Sequence, residues 1–387
     1  MSDVVTEMQR SLTPVLKPFS WVYGAGMRVR EKLFNRGLMP SWEPPVLTVS
    51  VGNIGWGGTG KTPVAGWLLG WAETNGVQAV LLTRGYRSKA VSLPYEVHPE
   101  ALAEEAGDEP LMLARDHLKA HIVVDPNRTR AGKMAIKKFQ PDLLILDDGF
   151  QHMAVKRHLN LVLLKPDDLI GEWNRVVPAG SWREPKAALA RADAFMIKTG
   201  PRGFERLEPF IEERLGHLHK PLFTFQIQPT GVRRVVDGQT ALGFATESYL
   251  LVTGVGDPEQ VQRTAKAYFG YSPVDHMIFK DHHTYTKYNV MNMLDRARKL
   301  GCKRILCTPK DAVKLGPMCT EEFWQFNLRV DFGPSTIAKD TTFETWWGRR
   351  YGAFDLRRAD RVEYEADLQA RRAGEMTELQ EPDDGKK

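Results

Sequence analysis

Eight residues in the first quarter of the chain can do chemistry together. Gly55-Trp56-Gly57-Gly58-Thr59-Gly60-Lys61-Thr62 fits G-x-x-x-x-G-K-[ST] without departure. Glycines let the backbone curl so that successive N–H groups converge on one centre of negative charge, which Cβ atoms would obstruct. Lys61 can reach the β- and γ-phosphates of a nucleotide, and the Thr62 hydroxyl can sit on the nucleotide's Mg²⁺. A second group completes that chemistry. Asp147-Asp148 ends the apolar run Asp142 to Leu146. Downstream of a phosphate loop, such a strand end is where a carboxylate holds Mg²⁺, directly or through water. The third group is Asp281-His282-His283. Adjacent histidines diverge on regular backbone, and no third and fourth ligands at zinc spacing accompany them. A histidine tuned by a carboxylate for proton transfer is the better use of such a pair.

These groups need elements to position them. Residues rich in β-formers from Val46 run into the loop, and Pro63 falls in the first helical turn, where its missing N–H costs little. Val64, Trp67, Leu68, Leu69 and Trp71 give that helix an apolar face. Strands are expected at Val77 to Thr83, His121 to Val124, Asp142 to Leu146, Asn160 to Leu164 and Ala192 to Lys198, alternating with helices. Ser88 to Ala106 lacks a period and reads as a long excursion, closing on Gly107-Asp108-Glu109-Pro110 before a helix from about Leu111. Lys165 to Pro185 reads as a loop carrying two exposed cations, Arg175 and Arg183, placed to rim a nucleotide or acceptor site. Phe223 to Pro229 and Val232 to Asp237 read as short strands of a hairpin joining two domains, and a new α/β cycle opens at Tyr249. The fold class is therefore α/β, with a P-loop NTPase-like, mostly parallel sheet flanked by helices and a smaller C-terminal α/β domain.

At 387 residues the chain exceeds the usual single-core size. The expected organisation is a basic amphipathic leader over 1–37, a nucleotide-binding domain over 38–234, a smaller α/β domain with linker strands over 235–350, and a charged tail over 351–387. Composition is that of a globular protein, 42% hydrophobic and 26% charged, and the formal net charge of +5 permits anionic substrates or membrane surfaces. No zinc finger, RNP-like strand or long basic tract points to nucleic acid, and no obligate protein partner is inferred. Three irregularly placed cysteines exclude a disulfide framework. No apolar run approaches roughly 18 residues, and the start MSDVVTEMQR is no signal peptide, so neither export nor a spanning helix is expected.

The leader is distinctive. Arg10, Lys17, Arg28, Arg30, Lys32 and Arg36 face a single anion, Glu31, and are interleaved with Leu12, Val15, Leu16, Phe19, Trp21, Val22, Tyr23, Met27 and Leu33. Pro14 and Pro18 predict a short or broken first helix, with a steadier one from Ser20 to Asn35. Such a mixture suits a membrane interface.

FSWVYG, SVGNIGWGGTGKTP, LLTRGY, GDEPLMLA, LILDDGFQH, VVPAGSWREP, VTGVGDP, FKDHHTYT and TPKDAVKL together resemble the tetraacyldisaccharide 4′-kinase family, from about Pro18 to Val330. Pro309 departs from the family's usual glutamate in T-E-K-D, leaving Lys310 and Asp311 in register. The resemblance implies a peripheral kinase at the cytoplasmic face of the inner membrane of Gram-negative bacteria. It implies transfer of the ATP γ-phosphate to the 4′-hydroxyl of tetraacyldisaccharide 1-phosphate, an acylated glucosamine disaccharide, giving lipid IVA and ADP in lipid A biosynthesis. It also implies Asp108, in GDEP, as general base, with His282 from the DHH stretch as its partner. Lys61 and the loop 55–62 would hold ATP, and Thr62 with Asp147 or Asp148 would hold Mg²⁺. The alternative is a P-loop GTPase or metallochaperone-like switch. That reading wants N-K-x-D at a strand end, which Thr308-Pro309-Lys310-Asp311 does not fit.

Overall fold

The computed structural model describes residues 11–335 and 341–355. The chain divides into two compact units, Met1–Lys339 and Asp340–Lys387. In the second, residues 343–355 are helical, and the Phe343 and Trp346 rings stack with centroids 5.9 Å apart. The start MSDVVTEMQR, and the expected charged tail beyond residue 355, lie outside the described residues.

One sheet runs through the first unit. In chain order its strands are β1 (Leu47–Asn53), β2 (Ala79–Thr83), β3 (Tyr95–Val97), β4 (His121–Val124), β5 (Leu143–Asp147), β6 (Leu159–Leu164), β7 (Ala194–Lys198), β8 (Leu222–Arg234), β9 (Thr240–Ala241), β10 (Tyr249–Thr253), β11 (Asp275–Ile278), β12 (Arg304–Cys307) and β13 (Phe323–Ser335). They lie in the order β11-β10-β12-β13-β8-β7-β6-β1-β5-β2-β4-β3, with β9 against β8. Strands β1, β2 and β5 are buried along their whole length, as expected of parallel strands covered by helices on both faces.

The long strands β8 and β13 explain how the two ends of this sheet meet. Strand β8 starts parallel to β7 through Leu222 to Phe225 and pairs antiparallel with β13. Strand β13 pairs with β12 only at its beginning, Phe323 to Gln325, opposite the far end of β8. The second parallel set, β10 to β12, is thus displaced along the ribbon and runs in the opposite sense to the first. From Phe225, where pairing with β7 ends, to Arg233, opposite Gln325, is eight residues at about 3.3 Å each, so the displacement is about 26 Å. Two parallel sets arranged this way point their carboxyl ends at each other.

Several local expectations differ from the structure. Residues 222–234 form one 13-residue strand, not two short ones. The leader is a single helix, Thr13–Asn35, that continues through Pro18. Pro14 sits in the first turn, where N–H groups have no partner anyway, and Pro18 is exposed, so water can reach the carbonyl it leaves free. The excursion after Ser88 contributes the edge strand β3 and a short helix, Ala103–Ala106. The next helix begins at Asp108 itself.

Candidate active site

The phosphate loop leaves the carboxyl end of β1, which is flanked by β5 and β6. Gly60 caps the helix Lys61–Thr74 with φ 91°, a conformation costly to any residue bearing a Cβ. The loop is anchored from outside. Trp56 donates its backbone N–H to Ser181 at 3.0 Å and accepts from Lys165 Nζ at 2.7 Å, while Arg183 N–H donates to the Ile54 carbonyl at 2.8 Å. The indole of Trp56 stays exposed, whereas the Thr59 side chain is buried.

Val51 of β1 lies in register with Asp147 of β5, so the loop and the aspartate pair share one sheet edge. The two aspartates have different surroundings. Asp147 accepts from the Thr83 hydroxyl at 3.1 Å through Oδ2, and its Oδ1 is buried without a hydrogen-bond partner. Burial first, then the nearby Glu109 carboxylate, pushes its pKa up to about 6. Asp148 is held in the left-handed region at φ 49° and takes a two-pronged contact from Arg183, at 2.8 and 3.0 Å, with Lys61 Nζ at 3.5 Å. Burial alone would raise its pKa, but Arg183 and Lys61 hold it below the usual range. Arg183, expected to be exposed, is instead half-buried, also donating to Asn53 Oδ1 at 2.8 Å and to Gln151 at 3.2 Å.

The helix Asp108–Asp116 brings a third carboxylate. Thr62 donates its hydroxyl to Glu109 Oε2 at 2.6 Å. The adjacent Asp108 faces the second parallel set, where its Oδ2 lies 3.1 Å from His282 Nδ1 and 3.6 Å from Lys314 Nζ. Burial raises the Asp108 pKa, but His282, Lys314 and Lys310 outweigh it and hold the carboxyl below its ordinary value. His282 follows β11 in the left-handed region at φ 59°, and the Tyr86 ring meets it edge-on at 5.6 Å. His283 turns away, packing on Phe279 and Tyr285 with Nε2 3.3 Å from Asn289 Oδ1. Pro309 occupies the first turn of the helix Pro309–Leu315, where Thr308 caps Asp311 N–H. A proline there removes only an N–H that the helix does not use.

Arg183 was expected at the rim of the site, without its Asp148 partner, whereas Glu109, Lys310 and Lys314 were not singled out as site residues by sequence reasoning. Glu109 carried one signal, a second carboxylate at the start of a helix. The roles of the two lysines depend on partners far away in the chain. Oxygen ligands suit Mg²⁺, and the Thr62 hydroxyl with the orphaned buried Oδ1 of Asp147 fit such an ion. Among the described residues no group of three or more His, Cys, Asp or Glu is arranged to hold a metal by themselves. An ion here would draw the rest of its ligands from hydroxyl, water or phosphate oxygens.

The leader helix borders the same edge. Arg30 donates twice to the Gln151 carbonyl at 3.2 Å, Tyr23 donates to the Arg183 carbonyl at 3.1 Å, and Glu31 pairs with Arg191 at 3.0 Å. Ser20 and Gly24 are buried, while Leu12, Val15, Phe19, Val22 and Val29 are exposed at helical spacing on another side. No helix among the described residues is long and apolar enough to cross a membrane. A cavity of about 380 Å³ between this helix and residues 174–185 is lined by Lys17, Trp21, Arg28, Arg175 and Pro185 among others. Near Gln151, His152 is driven down to about 4 by burial and by Arg128, Arg157, Arg30 and Arg84.

Known proteins resemble this chain over most of its length. The model of the family described as tetraacyldisaccharide-1-P 4'-kinase matches residues 12–344. A tetraacyldisaccharide 4'-kinase of Nitratidesulfovibrio vulgaris is 46% identical over 92% of this chain and 99% of its own. One from Oleidesulfovibrio alaskensis is 45% identical over 89% and 97%. A crystal structure of LpxK from Aquifex aeolicus in complex with ATP superimposes with a TM-score of 0.68 at 31% identity, covering 84% of this chain and 95% of that one. These matches lend nothing to the switch-protein alternative.

Proposed function

The chain belongs to the tetraacyldisaccharide 4'-kinase family, and on that premise we propose how its residues divide the work. It is an ATP-using kinase of lipid A biosynthesis. In the proposed reaction the 4′-hydroxyl of tetraacyldisaccharide 1-phosphate attacks the γ-phosphorus of ATP, giving lipid IVA and ADP. Backbone N–H groups of Gly57, Gly58 and Gly60, with Lys61, hold and neutralise the phosphates. Thr62 and Asp147 would hold Mg²⁺, whose positive charge would offset the charge developing in transfer. Glu109 orients the Thr62 hydroxyl, and Asp148, fastened by Arg183, keeps Lys61 in place. Asp108 takes the hydroxyl proton, and His282 Nδ1–H orients the carboxylate by occupying Oδ2, which leaves Oδ1 for the acceptor.

Placement at the cytoplasmic face of the inner membrane belongs to the same proposal. The exposed stripe from Leu12 to Val29 would lie among acyl chains, with Lys17 and Arg28 near headgroup phosphates. The domains proposed from the sequence then have distinct tasks, residues 38–234 carrying ATP and residues 235–350 delivering His282.

The observation that carries the mechanism is the 3.1 Å contact between Asp108 and His282, one residue from the Glu109 contact to the phosphate loop. A double-mutant cycle on kcat tests it, with MgATP and acylated disaccharide saturating. Asp108→Asn should lower kcat by roughly 10²- to 10⁴-fold and His282→Ala by less, with the double variant no worse than Asp108→Asn. Losses that multiply would reject the coupled pair, and normal turnover in Asp108→Asn would reject the base.

A further inference from the structure

Two lysines four residues apart on the helix Pro309–Leu315 flank the Asp108–His282 contact from opposite ends. Lys314 Nζ, almost fully buried, lies 3.6 Å from both Asp108 Oδ2 and Asp311 Oδ1. Lys310 Nζ lies 3.0 Å from Asp281 Oδ1 and 3.2 Å from His282 Nε2. The helix is aimed by Asp311, which is fully buried and accepts hydrogen bonds from Gly254 N–H, the Tyr285 hydroxyl and the Thr308 hydroxyl. Its start is therefore tied to the end of β10, to the segment just before the preceding helix Lys287–Lys299, and to the end of β12.

The contact between Lys310 and His282 has a consequence for proton placement. A lysine ammonium has three donors and no acceptor. A neutral imidazole has one N–H and one lone pair, and the partner of one nitrogen decides which of them carries the hydrogen. With an ammonium at 3.2 Å, Nε2 must be the acceptor, because an N–H there would point at a cation. The ring hydrogen is then on Nδ1, which faces the Asp108 carboxylate at 3.1 Å and donates to it. The other tautomer would set a lone pair against a carboxylate oxygen on one side and an N–H against an ammonium on the other. Asp281 balances the lysine charge, so the ammonium is anchored from behind as well.

We infer that Lys310 is a positioning residue for the reaction: anchored on Asp281, it holds the Nε2 lone pair of His282 and commits the ring to the Nδ1–H tautomer that the Asp108 contact requires. This rests on reading Asp108 and His282 as base and partner. It goes beyond that reading in naming what sets the partner's proton. It also accounts for two unlike lysine environments on one short helix: Lys314 sits beside the carboxylate, and Lys310 governs the ring.

Ring-nitrogen ¹⁵N spectra of the full-length protein, with His282 assigned by its loss in H282A, report the tautomer without any activity measurement. The wild type should show Nδ1 protonated and Nε2 bare. K310M, which keeps the side-chain length but removes the donor, should lose that signature and lower kcat by roughly tenfold or more with the KM for ATP little changed. K310Q keeps an N–H donor without the charge. It should retain the Nδ1–H signature and turn over within about threefold of wild type. In an H282A background K310M should add little further loss. A wild-type ring protonated at Nε2, an unchanged signature in K310M, or an equal loss from K310M with and without His282 would each overturn the inference. Normal turnover in D108N would instead remove the base assignment, while the ¹⁵N result would still decide the tautomer.

Discussion

At the scale of single residues the proposed mechanism separates groups that touch phosphate from groups that hold them. Lys61 meets Asp148 at 3.5 Å, a loose contact that a phosphate oxygen can replace. Lys61→Ala should lower turnover by roughly 10²-fold or more in a folded protein, since the charge acts most strongly as the phosphoryl group transfers. Near-normal turnover would remove Lys61 from the mechanism. The two aspartates should also come apart. Asp147→Asn is expected to move the Mg²⁺ dependence of kcat to higher concentrations by tenfold or more, because the orphaned Oδ1 is the better ion ligand. Asp148→Asn should act chiefly on ATP affinity by loosening Lys61 and Arg183, and a Mg²⁺ titration moved equally by both would contradict this division. His152 provides a test of stability against pH. Its folded pKa lies near 4 against an ordinary 6.5, so the unfolded chain takes up a proton first as pH falls. Its contribution to stability is full above 6.5 and is lost as pH drops through 4, a change on the order of 1–3 kcal/mol. His152→Asn should flatten that part of the pH profile, as read from urea midpoints at pH 7.5 and 5.

At the scale of elements, the start of each helix decides where chemistry points. Gly107 precedes Asp108 with φ 88° and ψ 150°, a region open essentially to glycine alone. An added Cβ would meet nothing closer than 3.5 Å, so Gly107→Ala carries a backbone cost, not a clash, of roughly 1–3 kcal/mol. It should also lower kcat by about tenfold by re-aiming Asp108, with ATP binding retained; calorimetry and kinetics on one sample read both. Pro309 is the contrasting case. Because it occupies a first-turn position with no N–H to satisfy, Pro309→Glu should leave Lys310 and Asp311 in place and change kcat by less than about threefold. A large loss would show that the proline ring itself supports the Lys310 helix.

At the scale of the whole molecule, the ribbon of β8 and β13 sets the distance between the parts of the site. Ile227 pairs with Val330 and Gln228 with Arg329 near its middle. Inserting two residues into each strand between these pairs keeps every side chain on its face, because the pleat repeats every two residues, yet moves the second parallel set by about 7 Å. Such a variant should bind ATP normally and lose turnover as His282→Ala does. Turnover at the wild-type level would show that the ribbon does not set the spacing. The leader makes a separate prediction. Val15, Phe19 and Val22 are exposed on the helix Thr13–Asn35 and touch none of the contacts that Tyr23, Arg30 and Glu31 make with the site edge. Replacing all three with Glu should reduce binding to anionic vesicles by tenfold or more while leaving the melting temperature unchanged. Undiminished binding would move the membrane contact elsewhere.

Local chemistry was legible in the sequence. Gly55 to Thr62 has one physical use at that spacing, and Asp147-Asp148 closes a strand whose apolar run announces burial on both faces. The alternation of strands and helices likewise dictated an α/β sheet, because each apolar strand needs helices to cover it. Relations between distant segments were not legible. Arg183 read as exposed because a cation in a loop carries no mark of the Asp148 and Asn53 it will meet. Residues 222–234 read as two short strands because Pro229 and Gly231 interrupt the pattern, while pairing with β13 carries the strand past them through a register shift opposite Asn327 and Leu328. Glu109 meets Thr62 across 47 residues, and Lys310 meets a ring whose other nitrogen lies against Asp108, 174 residues before it. Periodicity and motif spacing act over tens of residues; which oxygen faces which nitrogen was decided only when the two parallel sets turned their carboxyl ends toward one another.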